Sequence, residues 1–141
     1  MVRVVLDTNI WLSGIFWKGN SYRIIKLGEA GKIDIITTRD ILLEIIRVLK
    51  REAKFQKFLN DRDLKIENLL KTIFHITIFI KSESSLNIIT KDPDDDKILE
   101  AAVDGKADYI VTYDSHLLNL KDFREIKIIK PKRFLDTIPG V

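Results

Sequence analysis

The fold is decided by a short stretch, Val2-Arg3-Val4-Val5-Leu6-Asp7-Thr8-Asn9, in which an apolar run ends in a carboxylate. A mostly apolar, β-branched run of this length predicts a buried strand over Val2–Leu6. Asp7 then lies at the end of the strand, and in a parallel α/β sheet that edge is where ligands bind. Taken alone, Asp7 is equally suited to be the N-cap of a short helix beginning near Thr8. The two roles are compatible, because one carboxylate has several lone pairs.

Apolar runs and helical patterns alternate along the rest of the chain. Strands are predicted over Val2–Leu6, Ile33–Thr37, Ile76–Ile80, Tyr109–Thr112 and Ile126–Ile129. Helices are predicted over Thr8–Ser13, Ser21–Ala30, Arg39–Arg51, Leu64–Phe74, Pro93–Val103 and Pro131–Thr137. Gly31 is expected to end one helix, and Asp92 to cap another that starts at Pro93. Such alternation predicts an α/β/α sandwich with a central parallel sheet covered on both faces.

Length and composition narrow the class of protein. With 141 residues, 45% of them hydrophobic, the chain is expected to form one globular domain over residues 1–141. The absence of cysteine excludes disulfides, thiolate metal sites and cysteine nucleophiles. No apolar stretch approaches the roughly 18 residues of a membrane span. Asp7 interrupts the early apolar run, which is not the layout of a signal peptide, so a cytoplasmic protein is expected.

The net charge of +3 is modest, but basic residues are concentrated in two stretches. They contain Arg47, Lys50, Arg51, Lys54 and Lys57, and Lys121, Arg124, Lys127, Lys130, Lys132 and Arg133. Stretches of this kind can neutralise phosphates. The alternative is an ordinary solvated helix face or edge strand, because charge patterning is weakly specific.

Glu44 is the second candidate acid, placed by helical periodicity. At 100° per residue, the apolar residues of the helix over Arg39–Arg51 cover one broad arc. Glu44 falls just outside that arc, beside Val48, at the border between core and solvent. A salt bridge or a favourable interaction with the helix dipole is the alternative explanation.

Asp96 and Asp114 are the third and fourth candidates. Asp96 closes the run Asp92-Pro93-Asp94-Asp95-Asp96, whose earlier acids suit any helix start. It differs from them because it aligns with Leu99 and Val103, near the buried border of the helix. Asp114 follows the strand over Tyr109–Thr112 as Asp7 follows the first strand. If those two strands are neighbours, both carboxylates face one crevice.

Four carboxylates at one end of a sheet would form an oxygen-only metal site. Such ligands suit Mg²⁺ or Mn²⁺ and disfavour zinc or copper, and a hard cation there suggests phosphoester chemistry. His116 follows Asp114 and is able to approach a site, but it and His75 are isolated, and isolated histidines are usually structural. No Ser-His-Asp arrangement or glycine-rich phosphate loop is visible. Trp11 and Trp17 follow the first acid and are suited either to stacking on a base or to packing.

These motifs resemble those of the PIN-domain nucleases, in particular the single-domain branch that includes VapC proteins. The matching segments are Leu6-Asp7-Thr8-Asn9, Glu44 on the helix after the second strand, Asp96-Lys97-Ile98-Leu99-Glu100-Ala101-Ala102 and Ile110-Val111-Thr112-Tyr113-Asp114. The resemblance covers nearly the whole chain. It implies strand order 3-2-1-4-5 and acids arranged around one or two Mg²⁺ or Mn²⁺ ions.

The resemblance also implies an activity: endonucleolytic hydrolysis of RNA by a metal-activated water. The principal ligands would be Asp7, Asp96 and Asp114, with Glu44 completing the shell or orienting water. Asn9 and Thr112 would support them. The basic stretch adds Arg47, Lys50 and Arg51 as expected RNA contacts. A homodimer is implied as well. The toxin role of the branch would add a small antitoxin partner.

Two alternatives remain open at this stage. A haloacid-dehalogenase-like phosphatase also places an aspartate after its first strand, but it needs a second aspartate two residues later, where this chain has Asn9. A PIN-like RNA-binding or scaffold protein with a silent site is the non-enzymatic alternative. The presence of all four acids argues against it.

Overall fold

Strands and helices alternate in the computed structural model, which describes residues 1–84 and 93–139. The strands are β1 (Arg3–Leu6), β2 (Asp34–Thr37), β3 (Thr77–Phe79), β4 (Tyr109–Val111), β5 (Asp122–Phe123) and β6 (Ile126–Ile129). The helices are α1 (Thr8–Phe16), α2 (Asn20–Glu29), α3 (Arg39–Arg51), α4 (Ala53–Asp61), α5 (Ile66–Ile76), α6 (Pro93–Asp104), α7 (Ser115–Leu118) and α8 (Pro131–Thr137). Within the described residues, no helix is long and apolar enough to cross a membrane.

The strands form one sheet in the order β3-β2-β1-β4-β6-β5. All neighbours are parallel except β5, which pairs antiparallel with β6 at one edge. The predicted order 3-2-1-4-5 is confirmed for the five predicted strands, because the predicted fifth strand is β6. It omitted β5, which extends the sheet by one short strand.

Helices cover both faces of the sheet. Successive side chains of a strand point to opposite faces, so Ile35 and Ile36 of β2 mark the two sides. A Cβ added at Gly28, in α2, would meet the side chain of Ile35, whereas one added at Gly105, just after α6, would meet that of Ile36. The helices α2 and α6 therefore lie on opposite faces, as the predicted α/β/α sandwich requires.

The end of α2 confirms the predicted stop at Gly31. Gly31 has a φ of 71°, and its N–H donates to the carbonyl of Gly28. The N–H of Lys32 donates to the carbonyl of Leu27. These two bonds form a Schellman motif, which favours glycine at the position of positive φ. The predicted N-cap of α6, Asp92, lies outside the described residues.

Three elements were not predicted. They are α4, α7 and β5. The helix α4 begins directly after α3, with Glu52 ending one helix and preceding the other. The strand β5 is joined to β6 by a tight turn.

Asp104, the last residue of α6, holds the segment that leads out of β3. Its carboxylate accepts hydrogen bonds from the Ser82 hydroxyl, the Glu83 N–H and both the N–H and hydroxyl of Ser84. Burial acts to raise the pKa of Asp104, but these hydrogen bonds outweigh it and hold the pKa below its ordinary value of 3.8. A carboxyl group with a depressed pKa stabilises the fold above that ordinary value, and the contribution is lost as the pH falls through the lower, folded-state pKa.

Asp104→Asn is therefore expected to destabilise the protein at pH 7 by about 1 kcal/mol, because hydrogen bonds to a charged acceptor are weakened. Urea unfolding at pH 7 and at pH 3 measures the effect. The difference from wild type should shrink as the pH falls below 3.8, where the wild-type carboxyl group becomes protonated. Asp136→Asn, at an exposed position of α8, is the matched control. A difference that is equal at both pH values would contradict this account.

Candidate active site

Asp7 and Asp114 lie at the carboxyl ends of neighbouring strands. The strands β1 and β4 pair in parallel, with Leu6 opposite Val111. Asp7 follows β1 and is the N-cap of α1, with a carboxylate oxygen 2.7 Å from the N–H of Thr8. Asp114 is the N-cap of α7 and accepts from the N–H of His116 at 2.7 Å. Both aspartates thus begin a helix while facing the same edge of the sheet.

A single buried hydroxyl links the two aspartates. Thr112 is fully buried, and its Oγ1 donates to Oδ2 of Asp7 at 2.6 Å. The same oxygen accepts from the backbone N–H of Asp114 at 2.9 Å. The Asp7 carboxylate is therefore held at both oxygens, by Thr8 and by Thr112. The support that the resemblance implied for Thr112 has a direct structural counterpart.

Glu44 approaches from α3. The N-cap of this helix is Thr38, whose hydroxyl accepts from the N–H of Ile41 at 3.3 Å. Buried Ile41, Ile45 and Val48 fix the helix against the core, which leaves Glu44 partly buried at the border. Its carboxylate accepts a hydrogen bond from the Arg47 guanidinium, so the predicted salt-bridge role is present as well.

The helix α6, which is joined to α3 by ion pairs, carries three further acids in its first turn. Asp94 is exposed, whereas Asp95 and Asp96 are buried. Ion pairs connect α6 with α3, since Arg47 lies 3.9 Å from Asp94 and Lys97 lies 4.0 Å from Asp40.

These elements enclose a cleft of about 270 Å³. Seven acids of the described part of the chain line it. They come from the ends of β1 and β4, from α3 and the residue that follows it, and from α6, and they are Asp7, Asp40, Glu44, Glu52, Asp94, Asp95 and Asp114. The structure therefore brings Asp7, Glu44 and Asp114 together as predicted. Asp96 is not among the residues that line the cleft, and its neighbour Asp95 is. The assignment of the third acid to Asp96 stays a prediction.

Three of the side chains at or beside the cleft lie close enough together to bind one cation. Within the described residues, ligand atoms of Asp95, Asp114 and His116 all lie within 4.8 Å of one another. Carboxylate oxygens are the ligands that Mg²⁺ and Mn²⁺ prefer, and a histidine nitrogen is more readily tolerated by Mn²⁺. From sequence, His116 was recognised as able to approach a site but was expected to be structural. The observation that it follows the strand-end Asp114 by two residues was the available signal.

Comparison with protein families identifies this arrangement. A family model described as the PIN domain matches residues 3–116, which contain every acid of the cleft. The chain belongs to the PIN domain family. PIN domains are typically nucleases and generally use divalent metal ions.

Solved structures support the PIN domain fold independently. The crystal structure of VapBC2 from Rickettsia felis, bound to a DNA fragment from their promoter, contains a chain that matches with a TM-score of 0.62 at 15% identity. The match covers 90% of this chain and 97% of that one. At this identity the similarity concerns the fold, and it agrees with the VapC-like architecture predicted from sequence. Comparison with curated protein sequences gives no significant match.

The other predicted residues of the PIN domain lie around the cleft. Asn9 is exposed at its wall, one residue into α1 after buried Thr8. Arg51 lines the cleft at the end of α3. Lys50 is exposed and does not line it, and Arg47 pairs with Glu44. Of the three predicted RNA contacts, Arg51 is thus the one placed at the cleft itself.

Proposed function

We propose that the chain is a metal-dependent endoribonuclease, a single PIN-like domain that hydrolyses RNA phosphodiester bonds in this cleft. The observation that carries the proposal is the pair Asp7 and Asp114, joined through the hydroxyl of Thr112 at adjacent strand ends and faced by acids of α3 and α6. Catalytic acids held on rigid strand ends keep their geometry better than acids on loops.

The acids fit a divalent cation, Mg²⁺ or Mn²⁺. Among the described residues, seven carboxylates line the cleft, together with Arg51 and Lys97, and the His116 imidazole lies near Asp95 and Asp114. Hard oxygen ligands suit these ions. Asp7, Asp114, Glu44 and an aspartate of α6 would hold the ion. When bound, it supplies positive charge beside the attacked phosphate and lowers the pKa of water.

The chain's own residues position these groups. Thr8 and Thr112 fix the two oxygens of Asp7, so its carboxylate is oriented before substrate arrives. Glu44 lies beside the acids of α6 and is placed to orient a water molecule, with Arg47 holding its carboxylate. Arg51, at the rim, is placed to contact an RNA phosphate.

The test of this function is a cleavage assay on single-stranded and structured RNA. Cleavage is expected with Mg²⁺ or Mn²⁺ and should stop when EDTA is added. DNA of the same sequence is the control for substrate class. Metal binding without cleavage of any RNA would favour the RNA-binding scaffold, and hydrolysis of phosphate monoesters alone would favour the phosphatase.

We also propose that the protein acts in the cytoplasm as the toxin of a toxin–antitoxin pair. The support is the fold likeness to the chain of VapBC2. A neighbouring gene that encodes a small DNA-binding protein would supply the antitoxin, and copurification of the two products tests the pairing.

A homodimer is proposed through the edge of the sheet at β3. Phe74 and Phe79 are exposed there, with their ring centroids 5.2 Å apart, and Ile78 is exposed beside them. This edge strand carries none of the charges or prolines that usually protect a sheet edge. An identical edge from a second copy would cover it by strand pairing about a two-fold axis.

Light scattering is expected to show a dimer for wild type and a monomer for Phe79→Ser. Leu43→Ser, at an exposed apolar position of α3, is the matched control and should leave the dimer intact. A wild-type monomer over a wide concentration range would contradict the homodimer.

A further inference from the structure

The far end of α1 carries an aromatic cluster that the cleft does not use. Phe16 and Phe55 are buried, with ring centroids 5.3 Å apart in a stacked arrangement. Phe58 lies 5.5 Å from Phe16. Trp17 is the outer member, 5.4 Å from Phe58 in an edge-on arrangement and 47% exposed. The buried rings therefore hold a large exposed indole in a defined position.

Positive charge lies on the same aromatic cluster as this indole. The Arg62 guanidinium lies 5.1 Å from the ring centroid of Phe58 and 5.7 Å from that of Phe16. Lys18 and Lys54 are exposed, the first next to Trp17 in sequence and the second on α4. Among residues 1–84 and 93–139, neither lysine nor Arg62 has a carboxylate within salt-bridge distance. These cations are thus available to a polyanion.

One face of α1 connects the indole with the cleft. Asn9, Ser13 and Trp17 follow at intervals of four residues, so they lie along the same side of the helix. Asn9 lines the cleft, and the Trp17 N–H closes the last helical turn on the Ser13 carbonyl. The distance along the axis from Asn9 to Trp17 is about 12 Å, roughly three nucleotides at a stacked spacing of about 3.4 Å.

The helix α4 leads away from the cleft on the adjoining side. Its N-cap, Glu52, lines the cleft, and the following turns present Phe55 and Phe58 to the end of α1. A strand that leaves the acids along α1 would therefore reach the indole and the cations together. This continuity distinguishes Trp17 from exposed Phe74 and Phe79, which lie at the β3 edge. Tyr113 is also exposed, but it lies next to Asp114 and belongs to the region of the acids themselves.

We propose that Trp17 is a stacking platform for a base of single-stranded RNA, with Arg62, Lys18 and Lys54 holding the adjacent phosphates. Stacking of bases on aromatic side chains beside a basic surface is the general mode of sequence-tolerant single-strand binding. The proposal deepens the ribonuclease function and rests on it for the identity of the nucleic acid. It predicts that the enzyme engages an unpaired segment a few nucleotides from the cleaved bond, because a base within a duplex cannot stack on a side chain.

The experiment measures binding apart from cleavage. In an Asp7→Asn background, which is expected to bind without cutting, a fluorescein-labelled oligo(A) of about ten nucleotides is titrated with protein and followed by anisotropy. Trp17→Ala should weaken binding about tenfold or more, the range found when a stacking aromatic residue is removed. Trp17→Phe should retain most of the affinity, since it keeps an aromatic face. Leu43→Ala, at an exposed apolar position of α3 outside the proposed dimer edge, is the matched control and should change the affinity little. Duplex RNA should bind equally to Trp17→Ala and to the Asp7→Asn parent.

Intrinsic fluorescence gives a second readout that does not depend on Trp17→Ala. The chain has two tryptophans, and Trp11 is fully buried, so quenching by unlabelled oligo(A) reports on Trp17. Strong quenching in the Asp7→Asn protein is expected, and its loss in Trp17→Phe assigns the signal. This measurement decides the matter even if urea unfolding shows that Trp17→Ala is poorly folded.

The possible results test the stacking role of Trp17 separately from the proposed ribonuclease activity. Metal-dependent cleavage by wild type with unchanged affinity in Trp17→Ala and no quenching would overturn the platform and leave the nuclease standing. Quenching and Trp17-dependent binding by a protein that cleaves no RNA would uphold the platform and reject the nuclease. If Trp17→Ala instead changes the oligomeric state by light scattering and leaves RNA affinity unchanged, the indole is a protein contact and the proposal is wrong.

Discussion

Asp7→Asn is expected to lower metal-dependent RNA cleavage by a factor on the order of 100 or more. Substitutions of groups that merely support metal ligands already cost about 10- to 100-fold in affinity or activity, so loss of a ligand's charge should cost at least as much. Asp7 faces the cleft together with Asp114, and its two oxygens are already oriented by Thr8 and Thr112. The neutral amide keeps the shape of the side chain and removes the charge.

Folding should be nearly unaffected by this change. Asparagine is as good an N-cap as aspartate, so α1 retains its start. The single amide oxygen can accept from only one of the two donors that hold the carboxylate, Thr8 or Thr112, and this loss is offset because repulsion among the acids of the cleft is reduced. A urea midpoint equal to or slightly above that of wild type is therefore expected. Cleavage that survives Asp7→Asn and does not require metal would point to a contaminating nuclease or to a different site.

The second large effect distinguishes two adjacent acids of α6. Asp95→Asn is expected to lower cleavage about 100-fold, because Asp95 lines the cleft and lies near Asp114 and His116. Asp96→Asn should lower it less than about tenfold, since Asp96 is outside the cleft wall. Both side chains are buried and both substitutions keep the shape, so each variant is the matched control of the other. Calorimetric titration with Mn²⁺ should show the same order in metal affinity.

The reverse result would be equally informative. Loss of cleavage in Asp96→Asn with activity retained in Asp95→Asn would uphold the assignment made from sequence. Similar losses in both variants, with reduced stability, would instead show that the two acids act through the packing of α6.

Periodicity had little power to choose between these two acids. The arc of α6 that packs on the protein is wide, because Asp95, Asp96, Ile98, Leu99, Glu100, Ala101 and Ala102 are all buried. Such an arc has no sharp edge. The alignment of Asp96 with Leu99 therefore does not distinguish Asp96 from Asp95 as the acid that faces the cleft. The position of Glu44 was easier to predict, because the buried arc of α3 is narrower than that of α6 and Glu44 lies at its border.

The sheet was largely predictable because most of its strands have a clear sequence pattern. Apolar β-branched runs bounded by helical patterns placed β1, β2, β3, β4 and β6, and strand-end acids indicated which edge carries the site. The edge strand β5 has only two residues, and its turn onto β6 uses Arg124 and Glu125 with φ values of 49° and 69°. Turns of that conformation are normally signalled by glycine or asparagine, and neither is present.

The helix α4 was missed for a related reason. Its separation from α3 depends on the extended backbone of Glu52, with a φ of −91° and a ψ of 122°, and no proline or glycine marks the break. The sequence shows one continuous basic stretch at this point. Tertiary packing of Phe55 against Phe16 accounts for the turn of the chain, and such a long-range contact leaves no local pattern.

The hydrogen bond from Thr112 to Asp7 joins residues that are 105 positions apart. During synthesis, Asp7 leaves the ribosome long before β4 and β6 exist, and β4, which ends directly before Thr112, is held between β1 and β6. A nascent or truncated chain that lacks these strands therefore has its first carboxylate but no oriented pair. For a protein that would cut the RNA of its own cell, the order of synthesis delays any catalytic competence until nearly the whole chain has folded.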